Sequence, residues 1–273
     1  KNGNTRGEAS ALQAVAAVCL HIRAPMEATQ ALNTAQVIYR KLKDKQKEAQ
    51  VLTAAVSARL ATGEIEEALL AAKDARSLCK ETKDKRQECE VLTLLGELYW
   101  SQGGGSEALD AYRDMAKCYE DLGDSANAAQ AKKWVATLYL EKGDTDSALR
   151  VSKQAAETFE KAGQKLEEAT CLITVAQTHM AHLEMLRNDS GMDPAFLSKE
   201  DCREAVKAAT KARLAFRAAG ETASELMALH IMASAHMDKQ DYRDALRLAD
   251  EALTVSRRTK DKPQEAHAQL LCA

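Results

Sequence analysis

Proline and aromatic residues are scarce in this chain. Its 273 residues include only three prolines and 12 glycines, and aromatics make up 4%. So few breakers exclude a turn-rich sheet architecture and favour long helices. Long apolar runs are missing too. The longest nearly apolar stretch, Ala14 to Ile22, is far short of the roughly 20 residues that cross a bilayer, so no membrane insertion is expected. Neither sign of charge dominates, with 38 Lys and Arg against 41 Asp and Glu and a net charge of −3. That balance leaves no broad nucleic-acid or membrane footprint. No secretory signal is visible and the chain starts at Lys1, so a fragment of a longer protein is expected.

Cysteine usage points the same way as the missing signal. The seven cysteines, Cys19, Cys79, Cys89, Cys118, Cys171, Cys202 and Cys272, are odd in number and scattered through helical patterns. Reduced thiols in a cytoplasmic or other reducing compartment are expected, rather than a disulfide framework. Asn188-Asp189-Ser190 matches a glycosylation sequon, and without a signal it is discounted.

Catalytic signatures are absent as well. The chain has no P-loop, dinucleotide fingerprint, nucleophile elbow or zincin helix, so neither an enzyme nor a cofactor is expected. Ser106 follows three glycines, and a cap for the helix beginning at Glu107 explains it. His179, His182, His236 and Cys171 lack compact ligand spacing, so packed histidines are expected and no metal.

What is present is a repeat. Alanine recurs at Ala28, Ala68, Ala108 and Ala148 in steps of 40, then at Ala205 and Ala245 after one step of 57. A glutamate follows the same schedule at Glu8, Glu48, Glu88, Glu168, Glu225 and Glu265, with Ala128 in the missing place. Both series put a single 17-residue insertion after Glu168. The units fall at 8–47, 48–87, 88–127, 128–167, 168–224 with the insertion around 182–199, and 225–264. A terminal helix is expected at 265–273, and the whole is read as one array.

Each unit reads as a helix, a short turn such as Gly63-Glu64 or Gly143-Asp144, and a second helix carrying an Ala-Leu step. Apolar positions follow 3.6-residue spacing. Small residues recur where helices would cross closely: Ala16, Gly96, Ala136, Ala176 and Ala233, with Val56 as the exception.

This pattern resembles the tetratricopeptide repeat, most closely in Leu92, Leu95-Gly96, Tyr99, Ala108, Tyr112 and Met115. Arg59, His179 and His236 stand where that family usually has an aromatic residue, and Pro263 is the one proline near a repeat end. The 40-residue length, with Lys-Asp-Lys at 43–45 and 83–85, is similar to the Pins/LGN spindle adaptors and to rapsyn. The resemblance implies an all-α, right-handed α-α superhelix of six helical hairpins plus one further helix.

It also implies that the first helices line a concave groove holding a protein or peptide partner. One row of groove positions reads Gln13, Thr53, Thr93, Lys133, Ile173 and His230. The next reads Ala17, Ser57, Glu97, Thr137, Gln177 and Ser234. The third reads Leu20, Leu60, Trp100, Leu140, Met180 and Met237. The large apolar residues of the third row suit peptide anchors, Trp100 above all, and equally suit packing inside the hairpins. The lysine–asparagine clamp of chaperone-binding members and the asparagine ladder of spindle adaptors are both missing from these rows.

The insertion offers Met192 and Phe196 as contacts for a partner or for the groove, or as a local excursion packed on itself. Helix is expected through Leu186, followed by a break over 188–194. Ser198 is then expected to cap the next helix, with Asp201 in the box position. The basic turns Lys41–Lys47, Lys80–Arg86 and Arg257–Lys262 are expected to be solvated. The leading expectation is a non-enzymatic scaffold or adaptor. The alternatives are a structural subunit of a large assembly or a regulatory module of a larger enzyme. The oligomeric state is not legible.

Overall fold

The structure is a computed structural model and describes residues 2–190 and 199–259. The described residues form twelve α-helices: α1 Asn2–His21, α2 Pro25–Lys41, α3 Lys45–Thr62, α4 Ile65–Thr82, α5 Lys85–Ser101, α6 Gly105–Asp121, α7 Ser125–Glu141, α8 Thr145–Lys161, α9 Lys165–Ser190, α10 Lys199–Ala219, α11 Thr222–Asp238 and α12 Tyr242–Thr259. They pair as six hairpins of the all-α, tetratricopeptide-like solenoid class. The expected helix at 265–273 lies outside the described residues.

Helix ends keep strict time. A left-handed residue closes the helices at Arg23, Lys43, Gly63, Lys83, Gly103, Gly123, Gly143 and Gly163, every 20 residues, and again at Gly220 and Gln240. The jump from 163 to 220 carries the insertion. At Gly63, φ is 81°, a value that only glycine adopts without a Cβ penalty. Lys43 and Lys83 accept the same conformation as ordinary residues. An acidic cap then restarts the chain: the carboxylates of Asp44, Asp84 and Asp144 accept the backbone N–H of Lys47, Gln87 and Ser147. Such caps satisfy donors that the first turn leaves open.

The chain divides into two compact units, Lys1–Ala128 and Ala129–Ala273. In the first, each helix from α1 to α6 packs on its neighbours in sequence, and α3 also touches α5. The Ala28, Ala68 and Ala108 series is fully buried, as are Ala35 and Ala75, and Met115 is buried at the next position of that 40-residue row. In the second unit α8 packs on α9, α9 on α10, α10 on α11 and α11 on α12, and α9 also touches α11. Ala148, Ala205, Ala155, Ala212 and Ala252 are fully buried there. Small side chains let the backbones approach, and enlarging one would cost about 1–3 kcal/mol.

The recurring glutamates have a role their spacing alone does not disclose. Glu48, Glu88, Glu168 and Glu225 are all buried, and each meets a cation. Arg40 of α2 donates to Glu48 at 2.8 Å, Lys85 lies 3.6 Å from Glu88, Lys211 lies 2.6 Å from Glu168, and Arg213 lies 3.8 Å from Glu225. A buried carboxylate without such a partner would be strongly destabilising.

The insertion lengthens its hairpin. Helix α9 runs on to Ser190, beyond the break expected from residue 188. Leu183 is buried in the core of this unit and Arg187 donates to Asp238 of α11 at 2.7 Å, which rewards the extra turns. Met192, Phe196 and Ser198 lie outside the described residues. The first two basic turns are solvent-exposed, with Lys45 paired to Glu81 and Lys85 to Asp121 at the surface. Of the third basic turn, residues 260–262 lie outside the described residues. Among the described residues no helix is long and apolar enough to cross a membrane.

Candidate functional site

In the first unit, α3 and α5 lie side by side as the first helices of their hairpins. One face of each is closed: Val51, Leu52, Ala55 and Val56 of α3, and Val91, Leu92, Leu95 and Leu98 of α5, are buried. The opposite stripe of α5 reads Glu90, Thr93, Glu97 and Trp100, at i, i+3, i+7 and i+10, and this spacing keeps it on one side. Glu90 and Glu97 are exposed, while Thr93 and Trp100 are half-buried. On α3 the same register positions bring Thr53, Ser57 and Leu60 to the surface, and Leu60 is 40% exposed.

These side chains are not equally available. Thr93 is turned inward, its hydroxyl donating to the Cys89 carbonyl at 3.0 Å and reaching the Met115 sulfur at 3.0 Å. Trp100 meets Tyr112 of α6 edge-on, with ring centroids 6.4 Å apart. Burial and then the nearby Glu97 charge push the Tyr112 hydroxyl up to about 12. Trp100 is therefore braced from behind by a neutral phenol, with Glu97 one turn away on its own helix.

In the second unit the candidate residues occupy α7, α9 and α11. Lys133, Thr137 and Leu140 are half-buried on α7, and the Thr137 hydroxyl is spent on the Lys133 carbonyl at 3.1 Å. Gln177 and Met180 are half-buried on α9. Gln177 reaches the Met227 sulfur of α11 at 3.9 Å, and Met180 packs against the core. On α11, His230 is half-buried and Met237 is 43% exposed. The apolar row thus divides: Leu60 and Met237 reach solvent, while Met180 also packs inward.

Two features escaped the sequence reading. Trp134, one residue beyond Lys133, is half-buried with the Lys133 ammonium 5.2 Å from its ring. The 40-residue ladder contains it, at the phase of Ala54 and Leu94. The second is a carboxylate shared by two imidazoles. Asp201 of α10 lies 2.7 Å from His179 Nδ1 and 3.1 Å from His182 Nδ1. His179 and His182 belong to α9, so Asp201 ties together the lengthened hairpin instead of acting only in a cap.

The second helices present a different surface. A cleft of about 470 Å³ opens between α4 and α6 over Leu95 and Tyr99, with Lys73, Arg76 and Lys80 on one wall and Glu107 and Asp110 on the other. Arg76 pairs with Asp114, and the Lys73 ammonium sits 5.7 Å from the Tyr99 ring.

Several solved structures share this architecture at low sequence identity. BtubC from P. vanneervenii is similar at 14% identity, with 87% of this chain and 90% of that one covered and a TM-score of 0.66. A signal-transduction ATPase with numerous domains from Pyrococcus horikoshii, described as having a tetratricopeptide repeat sensor, is similar at 14% identity and a TM-score of 0.75. The likeness covers 97% of this chain and 38% of that one. Aspartyl phosphate phosphatase F from Bacillus subtilis is similar at 14% identity, over 88% of this chain and 59% of that one, with a TM-score of 0.66. The chain thus spans less than two thirds of each of the latter two. No curated protein matches the chain in sequence. At such identities the likeness is one of fold. A family model, in contrast, matches residues 57–256, well over half of the chain. By that match the chain belongs to the family of the suppressor of spindle checkpoint defect 1 C-terminal domain.

Proposed function

We propose that this chain is a non-enzymatic protein-interaction module that holds a segment of a partner protein on the exposed face of its first helices. One observation carries the reading. The apolar phases of α3 and α5 are buried, yet Leu60 stays 40% exposed and Trp100 only half-buried, beside short polar side chains. Large apolar residues set among small polar ones are what a peptide-binding surface requires. The family is named for a suppressor of a spindle checkpoint defect, which supports seeking the partner among proteins that control cell division.

The remaining expectations fit this reading. Among the described residues six cysteines are unbonded, five of them buried, which supports a reducing intracellular compartment. A net charge of −3 supports a protein rather than a nucleic acid as the partner. The 20-residue spacing of helix ends supports the 40-residue repeat type shared with Pins/LGN and rapsyn adaptors, arranged as one array. In the second unit, Lys133, Thr137, Leu140, Gln177, Met180, His230 and Met237 form the corresponding surface.

The test is affinity capture from cell extract with Leu60→Ser and Trp100→Ala, alone and combined. Loss of specific partners with the helical signal unchanged supports the module. Unchanged capture by the double variant contradicts it.

A further inference from the structure

Charge is distributed unevenly over the first unit. On α4, Lys73, Arg76 and Lys80 line one cleft on a helix that also carries Glu66, Glu67, Asp74 and Glu81. The exposed face of α3 and α5 is different. Beyond its first turn, α5 brings only two charged side chains to solvent, Glu90 and Glu97. Beyond its own first turn, α3 has a single charge, Arg59, and that guanidinium is turned away to the Glu67 carbonyl and the Asn33 side chain. Neither Glu90 nor Glu97 has an ion-pair partner among the described residues.

Resting on the binding reading above, we propose that this face selects a segment carrying lysine or arginine next to apolar side chains. Glu97 and Trp100 receive one cation, because a carboxylate beside an indole attracts it through both charge and the ring quadrupole. Glu90 receives a second. Two helical turns separate Glu90 from Glu97, about 10 Å along the axis. A segment in the polyproline II conformation repeats its face every three residues, about 9 Å apart. Cations at i and i+3 therefore match the two carboxylates, and an apolar residue just past the second cation reaches Leu60, the register mate of Trp100. Arg86 shares a cleft with Glu90, so Glu97 carries the larger part of the selection, and an acidic segment facing both carboxylates would be disfavoured.

The experiment uses the full chain and three fluorescein-labelled peptides, which repeat the triplets Lys-Leu-Ala, Gln-Leu-Ala and Glu-Leu-Ala. Fluorescence anisotropy should rank them lysine over glutamine over glutamate, with the preference shrinking at high salt. Glu90→Gln with Glu97→Gln should weaken the lysine peptide by roughly three- to tenfold and leave the glutamine peptide unchanged. Glu90→Lys with Glu97→Lys should reverse the ranking. Both positions are exposed, so the circular dichroism should not change. Equal binding of the three peptides, or a lysine preference that survives both pairs of changes, overturns the charge assignment while leaving the binding face intact. If Leu60→Ser with Trp100→Ala leaves every peptide bound as before, or if no peptide binds, the binding reading itself is contradicted.

Discussion

The ring of Tyr112 lies on the backbone of Gly96: a Cβ at position 96 would stand 2.6 Å from both Cε1 and Cζ of that ring. The contact joins α5 to α6 within one hairpin, and the same ring meets Trp100 edge-on. The glycine in the repeat thus makes room for an aromatic residue that braces the candidate anchor.

Gly96→Ala should therefore destabilise the protein despite better helix propensity. The propensity gain is about 1 kcal/mol, whereas overpacking costs about 1–3 kcal/mol, and the rigid ring cannot yield as a flexible chain end would. Urea unfolding should show a lowered midpoint. In a Tyr112→Leu background most of that loss should vanish; an equal loss in both backgrounds would separate Gly96 from Tyr112.

Removing Arg213 should be costly because Glu225 is only 4% exposed at its side chain and lies 3.8 Å away. Arg213→Met leaves that carboxylate buried without its cation, a loss of about 3–5 kcal/mol. Arg213 also pairs with Glu251, so Glu225→Gln alone should cost less. Combining Glu225→Gln with Arg213→Met should recover part of the loss. Thermal unfolding of the four proteins measures the cycle.

Alkaline pH should weaken the fold through buried thiols. Burial pushes Cys79 and Cys171 from 9.0 up to about 12, with nearby carboxylates adding to the effect at Cys79. The folded pKa is raised, so the unfolded chain releases these protons first. Their contribution is fully present below about pH 9 and is lost as pH rises toward about 12. Stability against urea should fall across that window and fall less steeply in Cys171→Ala. Native protein should also resist iodoacetamide at these sites until denaturant is added.

Asp201→Asn should loosen the lengthened hairpin, since one carboxylate serves both His179 and His182. Losing a shared, partly buried acceptor costs about 1–3 kcal/mol. Hydrogen exchange should accelerate in α9 beyond His179 and remain unchanged in α3 to α5. Uniform acceleration, or none, would show that the cluster does not hold that segment.

The architecture was largely legible because each hairpin repeats one packing problem. Ala28, Ala68 and Ala108 are buried for the same steric reason, so spacing alone exposes them. The glutamates Glu48 and Glu168 were visible as a series but not as ion pairs. Their cations sit at different places, Arg40 on the preceding helix and Lys211 on a later one, so no period marks them. The Asp201 bridge was hidden by the insertion, which separates it from His179 in sequence and brings it back in space. On the candidate face, three phases of the ladder pointed to Leu60, Glu97 and Trp100. Glu90 and Trp134 sit at phases outside those three rows, where side chains remain partly open because only half of each first helix packs inward. Met192 and Phe196 lie outside the described residues.

Site-specific photocrosslinking tests the central claim most directly. A benzoylphenylalanine replaces Ser57 or Leu60 on the exposed face of α3, or Leu70, 60% exposed on α4, and is activated in living cells. The account predicts covalent capture of a partner protein from positions 57 and 60 and none from position 70. Capture from position 70 with none from 57 or 60 would contradict it.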